Sequence, residues 1–223
     1  MADGVHPADA LPAKVIRSNC HWMPGRDHVG RAILHFNVGA MAVTATEPVD
    51  KWQLLGNFCL EHLLNESYFT QVNGICVVID MGAVGFRQLL TFGGPADAKR
   101  GMGLWVGAFP TKLRKACILR CPSVARGLVN LCLSFVSKKI RDRIEMAVPA
   151  GTPLTYVVDG RKVTDDNKDG MGSIRGLAAA EVIPRQFAGL GGGKGGGGEE
   201  DWAKNENDWN GFVDRTWPGV AKG

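Results

Sequence analysis

Three short apolar runs mark the chain, at 32–38 (AILHFNV), 75–79 (ICVVI) and 113–119 (LRKACIL). The second is unbroken by any polar residue, and a strand that is apolar on both faces is one covered on both sides, as in parallel sheets. Between the first two runs, Glu47-Pro48 opens a helical pattern in which Trp52, Leu55, Cys59, His62 and Leu63 share one face. A helix joining two such strands predicts a right-handed βαβ crossover. The pattern repeats. Asp80-Met81-Gly82 closes the second strand, 95–109 reads as a helix, and Pro122 stands at the start of another, where its missing N–H costs nothing. Strand, helix, strand, helix, strand, helix is the signature of an α/β fold. Past Met146 the signal weakens, with LTYVV at 154–158 as a strand, 173–182 as a short helix and Ile183-Pro184 as a stop.

The ends lack such periods. Residues 1–26 combine proline and mixed charge and are expected to form a flexible lead-in, which leaves 27–189 as the domain. Residues 190–198, holding the run GGGKGGGG, have the composition of a flexible linker. The run is not a phosphate loop, because Lys194 is followed by glycine and then by Glu199 and Glu200. In the tail, 199–223, Trp202, Trp209 and Trp217 stand among six acidic and three basic residues. Docking of these rings on the domain is the favoured reading, over contact with a protein partner or a membrane interface.

The 223 residues are enough for one globular domain with tails. No apolar run approaches the roughly 20 residues that span a bilayer, and the amino terminus lacks a basic start followed by an apolar block, so a cytosolic location is expected. The six cysteines include no CxxC pair and mostly fall inside apolar patterns. They read as reduced core residues, with neither a disulfide frame nor a metal site.

Charge changes the picture at 109–146, which carries nine Lys and Arg against Asp142 and Glu145, whereas the whole chain is only +4. Within 123–136, Arg126, Asn130 and Ser134 form one polar stripe at a spacing of four. Val124, Leu128, Leu131 and Phe135 form one apolar face, and Ala125, Val129, Cys132 and Val136 an adjacent one, so the apolar arc is wider than a surface helix needs. Such a helix is about 20 Å long, too short to span a membrane. A buried core helix explains it alone; the basic flanks Lys112 to Lys115 and Lys138 to Arg143 favour a helix that seals an apolar cavity beside a membrane-facing rim. Basic groups near an anionic leaflet contribute about 1 kcal/mol each. Nucleic acid is disfavoured, since the segment has no interleaved aromatics.

Phe109-Pro110 before a strand, Cys121-Pro122, the apolar helix, Ser134-Phe135-Val136, Lys138-Lys139 and Arg143-Ile144 follow one another in order. Gly30-Arg31, Asn73-Gly74 with Asp80-Met81-Gly82, and the run IPRQFAG at 183–189 complete the set. Across 27–189 this ordered set resembles the CRAL-TRIO lipid-binding domains of the phosphatidylinositol-transfer and tocopherol-transfer type. Arg120 stands where asparagine is usual in that pattern. The resemblance implies a mixed, mostly parallel sheet flooring an apolar lipid pocket closed by a mobile lid helix, with one lipid bound and exchanged at membranes. On this sequence the lid or gate falls on Val124, Leu128, Leu131, Cys132 and Phe135. The tail pocket falls on Val77, Ile79, Cys117 and Leu119 with Phe86, Leu90 and Trp105, and head-group or membrane contact on Arg120, Lys138, Lys139, Arg141 and Arg143. A bound lipid, a transient anionic membrane surface and a monomeric state are expected, with no cofactor.

Enzyme motifs are not evident. The chain has no GxSxG elbow, no glycine fingerprint after a strand and no HExxH, and Cys20-His21 with His28 and His35 matches no standard zinc spacing. A non-transferring adaptor, recruiting a protein partner through the Trp-bearing tail, is the competing reading.

Overall fold

The computed structural model describes residues 11–18, 21–82, 84–91, 112–149, 151–158, 160–168, 172–178 and 215. In chain order these hold helix α1 (Ala13–Ile16), strands β1 (His21–Arg26) and β2 (Ala32–Asn37), helices α2 (Val49–Glu66) and α3 (Tyr68–Asn73), strand β3 (Ile75–Asp80) and helix α4 (Phe86–Thr91). Strand β4 (Leu113–Leu119), helices α5 (Ser123–Ser134) and α6 (Lys138–Arg141), strand β5 (Ile144–Met146), a hairpin of β6 (Leu154–Val158) and β7 (Arg161–Asp165), and helix α7 (Gly172–Arg175) follow. The helix expected at 95–109, the glycine run and the stop at Ile183-Pro184 lie outside the described residues.

The five-stranded sheet has the order β1-β2-β3-β4-β5. Strand β1 pairs antiparallel to β2, and every other neighbouring pair is parallel. Parallel strands laid down in sequence order by right-handed crossovers put their connecting helices on one side. The burial pattern follows. Trp52, Leu55, Cys59, Leu60 and Leu63 of α2 pack with Ala125 and Val129 of α5 over a sheet face that includes Leu34, Val77, Ala116 and Ile118. The opposite face, with Ile33, Cys76, Val78, Cys117 and Leu119, is covered by Ile174, Leu177 and Ala178. The double-sided apolarity of 75–79 thus comes from helices on one side and the chain after β7 on the other.

The lead-in assigned to 1–26 is corrected in its second half. Leu11, Val15 and Ile16 are buried in the main core, and β1 forms a sheet edge. That strand, HWMPGR, was concealed by its Pro24 and Gly25, residues which weaken strand patterns but are tolerated at an irregular edge; the pairing register shifts between Trp22 and Gly25.

Between β1 and β2 the turn is organised by one buried carboxylate. Asp27 accepts hydrogen bonds from the backbone N–H groups of Val29 (3.0 Å) and Arg31 (2.8 Å), from Nε of Arg31 (2.5 Å) and from Sγ of Cys76 (3.1 Å). At the next turn Gly74 caps α3 with φ +83°. A Cβ there would collide with the Lys112 carbonyl, to which Ile75 N donates at 3.0 Å, so only glycine lets β4 come alongside.

Cysteine chemistry follows from this packing. Burial, reinforced by Asp27, pushes the Cys76 thiol up to about 12, and burial does the same at Cys117. Thiolate is the reactive form. At pH 8 both are expected to stay unmodified by iodoacetamide in the folded protein and to react in denaturant, as read by peptide mass spectrometry. Prompt labelling of either in the folded state would contradict the two-sided burial of the sheet.

Candidate functional site

The site is built around α5. Pro122 precedes its first turn in an extended conformation, and the helix runs back from the C-terminal end of β4 toward the N-terminal end of β5. Its apolar arc spans two environments. Ala125 and Val129 are buried on the sheet, Val136 is buried just beyond the helix, and Cys132 and Leu133 are half-buried. The face bearing Val124, Leu128, Leu131 and Phe135 looks outward. Val124 is 47% exposed and Phe135 38%, while Leu128 and Leu131 are half-buried. No described helix is long and apolar enough to cross a membrane.

The strand residues assigned to the tail pocket do not share a face. Val77 and Ile79 lie on the side of α2 and α5, but their partners in β4 are Ala116 and Ile118. Cys117 and Leu119 point to the other side, against Ile174, Leu177 and Ala178. The reason is parity. Side chains alternate in each strand, and which parity of β4 matches the odd residues of β3 is set by the pairing register, here shifted between Ile75 and Cys76. Phe86 is 63% exposed on α4, and the Leu90 side chain and Trp105 lie outside the described residues.

Nor do the basic residues form one rim. Arg120 sits after β4 at the C-terminal edge of the parallel sheet, with φ +49°, and its guanidinium grips the buried carboxylate of Asp80. Arg120 Nε donates to Asp80 Oδ1 at 2.9 Å and Nη2 to Oδ2; Gly82 N also donates to Oδ1, at 2.9 Å. Beside the pair lies His35, whose burial holds its imidazole down to about 4; Asp80 pulls in the opposite direction and Arg120 adds to the lowering. The remaining cations lie at the N-terminal edge, a helix length away from Arg120. Lys138, Lys139 and Arg141 are exposed, with Lys138 in a 3.7 Å pair to Asp142 and Arg141 Nε donating to the Leu133 carbonyl at the end of α5. Arg143 is half-buried and donates through Nη1 to the Leu113 carbonyl at 2.6 Å, tying the start of β4 to the approach of β5. Arg120 and Arg143 therefore hold strand ends, and Lys138, Lys139 and Arg141 form the accessible cluster.

Two polar centres escaped the sequence reading. One is Asp27. The other is Asp165, which receives Arg175 through Nε (2.7 Å) and Nη2 (2.9 Å) and the Tyr156 hydroxyl (3.0 Å), fastening the β6–β7 hairpin to α7. Arg175 holds the Asp165 carboxyl well below the usual carboxylate range. A shallow cavity of about 590 Å³ against this hairpin is lined by Pro153, Tyr156, Val163, Thr164, Asp165 and Asp166.

A mixed, mostly parallel sheet with its helices on one side and a two-faced apolar helix leading into the last parallel strand defines a known class of α/β domain. The CRAL/TRIO domain model matches residues 16–158, and the chain belongs to that family, as the ordered motifs implied. Among curated relatives, an alpha-tocopherol transfer protein-like protein of Mus musculus is 32% identical over 84 residues, covering 38% of this chain and 24% of the relative. The protein of the same description from Homo sapiens is 31% identical with the same coverage. The match thus spans about a quarter of the length of these relatives. A crystal structure of Sfh5 is similar at a TM-score of 0.47 with 18% identity, covering 65% of this chain and 50% of that one.

Proposed function

We propose that this domain binds a single hydrophobic lipid, a phospholipid or an isoprenoid-like molecule, and exchanges or presents it at membranes without catalytic chemistry. Membership of the CRAL/TRIO family supports lipid binding in general. The observation that carries the reading further is the double apolar face of α5, with Ala125 and Val129 on the sheet and Val124 and Phe135 in solvent. A helix permanently fixed in a core gains nothing from an apolar outer surface, whereas a helix that lifts into the acyl boundary of a bilayer has use for both faces. The lipid then occupies the sheet face of Val77, Ile79, Ala116 and Ile118 that α5 covers. Exposed Lys138, Lys139 and Arg141 beyond the helix attract an anionic leaflet while it opens.

The test is mass spectrometry of lipid extracted from the full chain after incubation with mixed liposomes. One enriched lipid at near one per protein is the expected result, and an empty folded protein would overturn the reading. In the same assay Leu128→Asp, which places a charge on the outward face, is expected to lower loading by about tenfold or more through the cost of desolvating the carboxylate. Unchanged loading in the folded variant would remove α5 from the mechanism.

A further inference from the structure

An exposed aromatic patch lies at the N-terminal edge of the parallel sheet, on the helix that leads into β3. In α3, Tyr68 is 75% exposed and Phe69 67%, and Val72 completes one face with them at helical spacing. The opposite side of this helix is fixed, since Thr70 is buried and accepts from Arg26 Nη2 at 3.2 Å. Ser67 caps the helix by accepting from Phe69 N at 3.2 Å, so the two rings are held outward on a defined turn and not left on a loop. The β1–β2 turn abuts it, with Gly30 beside Asn73, and adds exposed Val29. Packing among the described residues gives no reason for two aromatic rings here, and contiguous exposed apolar surface marks an interaction site.

The surroundings specify the occupant. Exposed Lys112 and Arg114 flank the end of α3, where Arg114 Nε donates to the Asn73 carbonyl at 3.1 Å. Lys138, Lys139 and Arg141 lie along the same edge of the sheet, where Asp142 pairs with Lys138 and Glu66 stands at the end of α2 next to the patch. The chain itself returns to this edge: His28 N donates to the Leu177 carbonyl at 3.1 Å, one residue from Val29. Forty-five residues follow Ala178, and the last 25 of them carry Trp202, Trp209 and Trp217 with six acidic against three basic residues. The intervening residues end in the glycine-rich stretch 190–198, and a flexible linker of that composition and length would reach roughly 15–18 Å. A tether of that length holds its end at an effective concentration on the order of millimolar, so contacts of modest intrinsic affinity suffice.

We propose that the acidic, tryptophan-bearing segment 199–217 docks in cis on the patch of Val29, Tyr68, Phe69 and Val72, its carboxylates facing Lys112 and Arg114. Aromatic rings meeting aromatic rings supply the attachment, and the charges its orientation. The surface serves this chain's own tail, in place of a membrane or a second copy.

Photo-crosslinking of the full chain tests this, with Phe69→p-benzoylphenylalanine at the patch and Val157→p-benzoylphenylalanine on the exposed hairpin as the proximity control. The expected products run at monomer mass, and their cross-linked peptides fall within 199–217. Their yield is expected to drop by about tenfold when Trp202→Ser, Trp209→Ser and Trp217→Ser are combined, while circular dichroism stays unchanged. A partial loss in high salt is expected from the charges. Products at dimer mass, products on lipid when phosphatidylserine vesicles are added, cross-links to peptides outside the tail, no products, or an equal yield from position 157 would each overturn the proposal.

Discussion

Arg120→Ala is expected to destabilise the domain by about 2–3 kcal/mol at neutral pH, less than for breaking a fully buried pair because the guanidinium is partly exposed. The loss comes from what is left behind. Asp80 is 1% exposed at the end of β3, and without Arg120 its carboxylate keeps the hydrogen bond from the Gly82 N–H but loses its cation. Urea unfolding gives the measurement, and a change under about 0.5 kcal/mol would mean that the pair is solvated. Arg120 also has φ +49°, a conformation that alanine tolerates no better but asparagine adopts readily. Arg120→Asn is therefore expected to lose less stability than Arg120→Ala, separating backbone strain from the lost charge. Asparagine, which the resemblance to the family pattern puts at this position, suits a backbone of this φ.

The second large effect is acid sensitivity through His35. Its folded-state pKa of about 4 lies below the usual value of 6.5, so between these two values the unfolded chain binds the extra proton. Stability is thus full above about pH 6.5 and falls as pH drops toward 4, by about 3 kcal/mol over the window for this one group. Chemical unfolding at pH 7.5, 6, 5 and 4.5 measures the slope, and His35→Gln is expected to flatten it. An identical slope in that variant would assign the acid loss to other groups. The two predictions are coupled. Arg120 contributes to lowering the His35 pKa and Asp80 opposes it, so in Arg120→Ala the imidazole gains protons more easily. The deficit of Arg120→Ala is therefore expected to shrink between pH 7.5 and 5, as His35 becomes the counterion that Arg120 had been.

Strands β2, β3 and β4 were legible because apolar runs bounded by turn residues leave little else for them to be, and the α5 pattern showed a wide apolar arc but not which part of it lies on the sheet. The second half of the lead-in was not legible, since Pro24 and Gly25 mask an edge strand whose order comes from pairing with β2. Strand β7 escaped for the complementary reason: RKVTD is polar throughout and is held by hairpin pairing to β6 and by the Asp165–Arg175 bonds. The division of Val77 and Ile79 from Cys117 and Leu119 was beyond reach, because an unbroken apolar run has no periodicity to show which parity faces which layer. The basic residues read as one rim because sequence proximity conceals that α5 carries the chain from one edge of the sheet to the other.

The asymmetric covering of the sheet bears on how the protein is made. Each parallel strand joins the one before it, so the helix side of the core assembles progressively as the chain leaves the ribosome. The other side has no such order. Among the described residues, the buried cover over Cys76, Val78, Cys117 and Leu119 is Ile174, Leu177 and Ala178, which are synthesised after every strand of the sheet. A nascent chain paused after β5, or a fragment cut at the end of the family match at 158, therefore lacks the cover that Ile174, Leu177 and Ala178 give this apolar face, and that interval is when a chaperone is most needed.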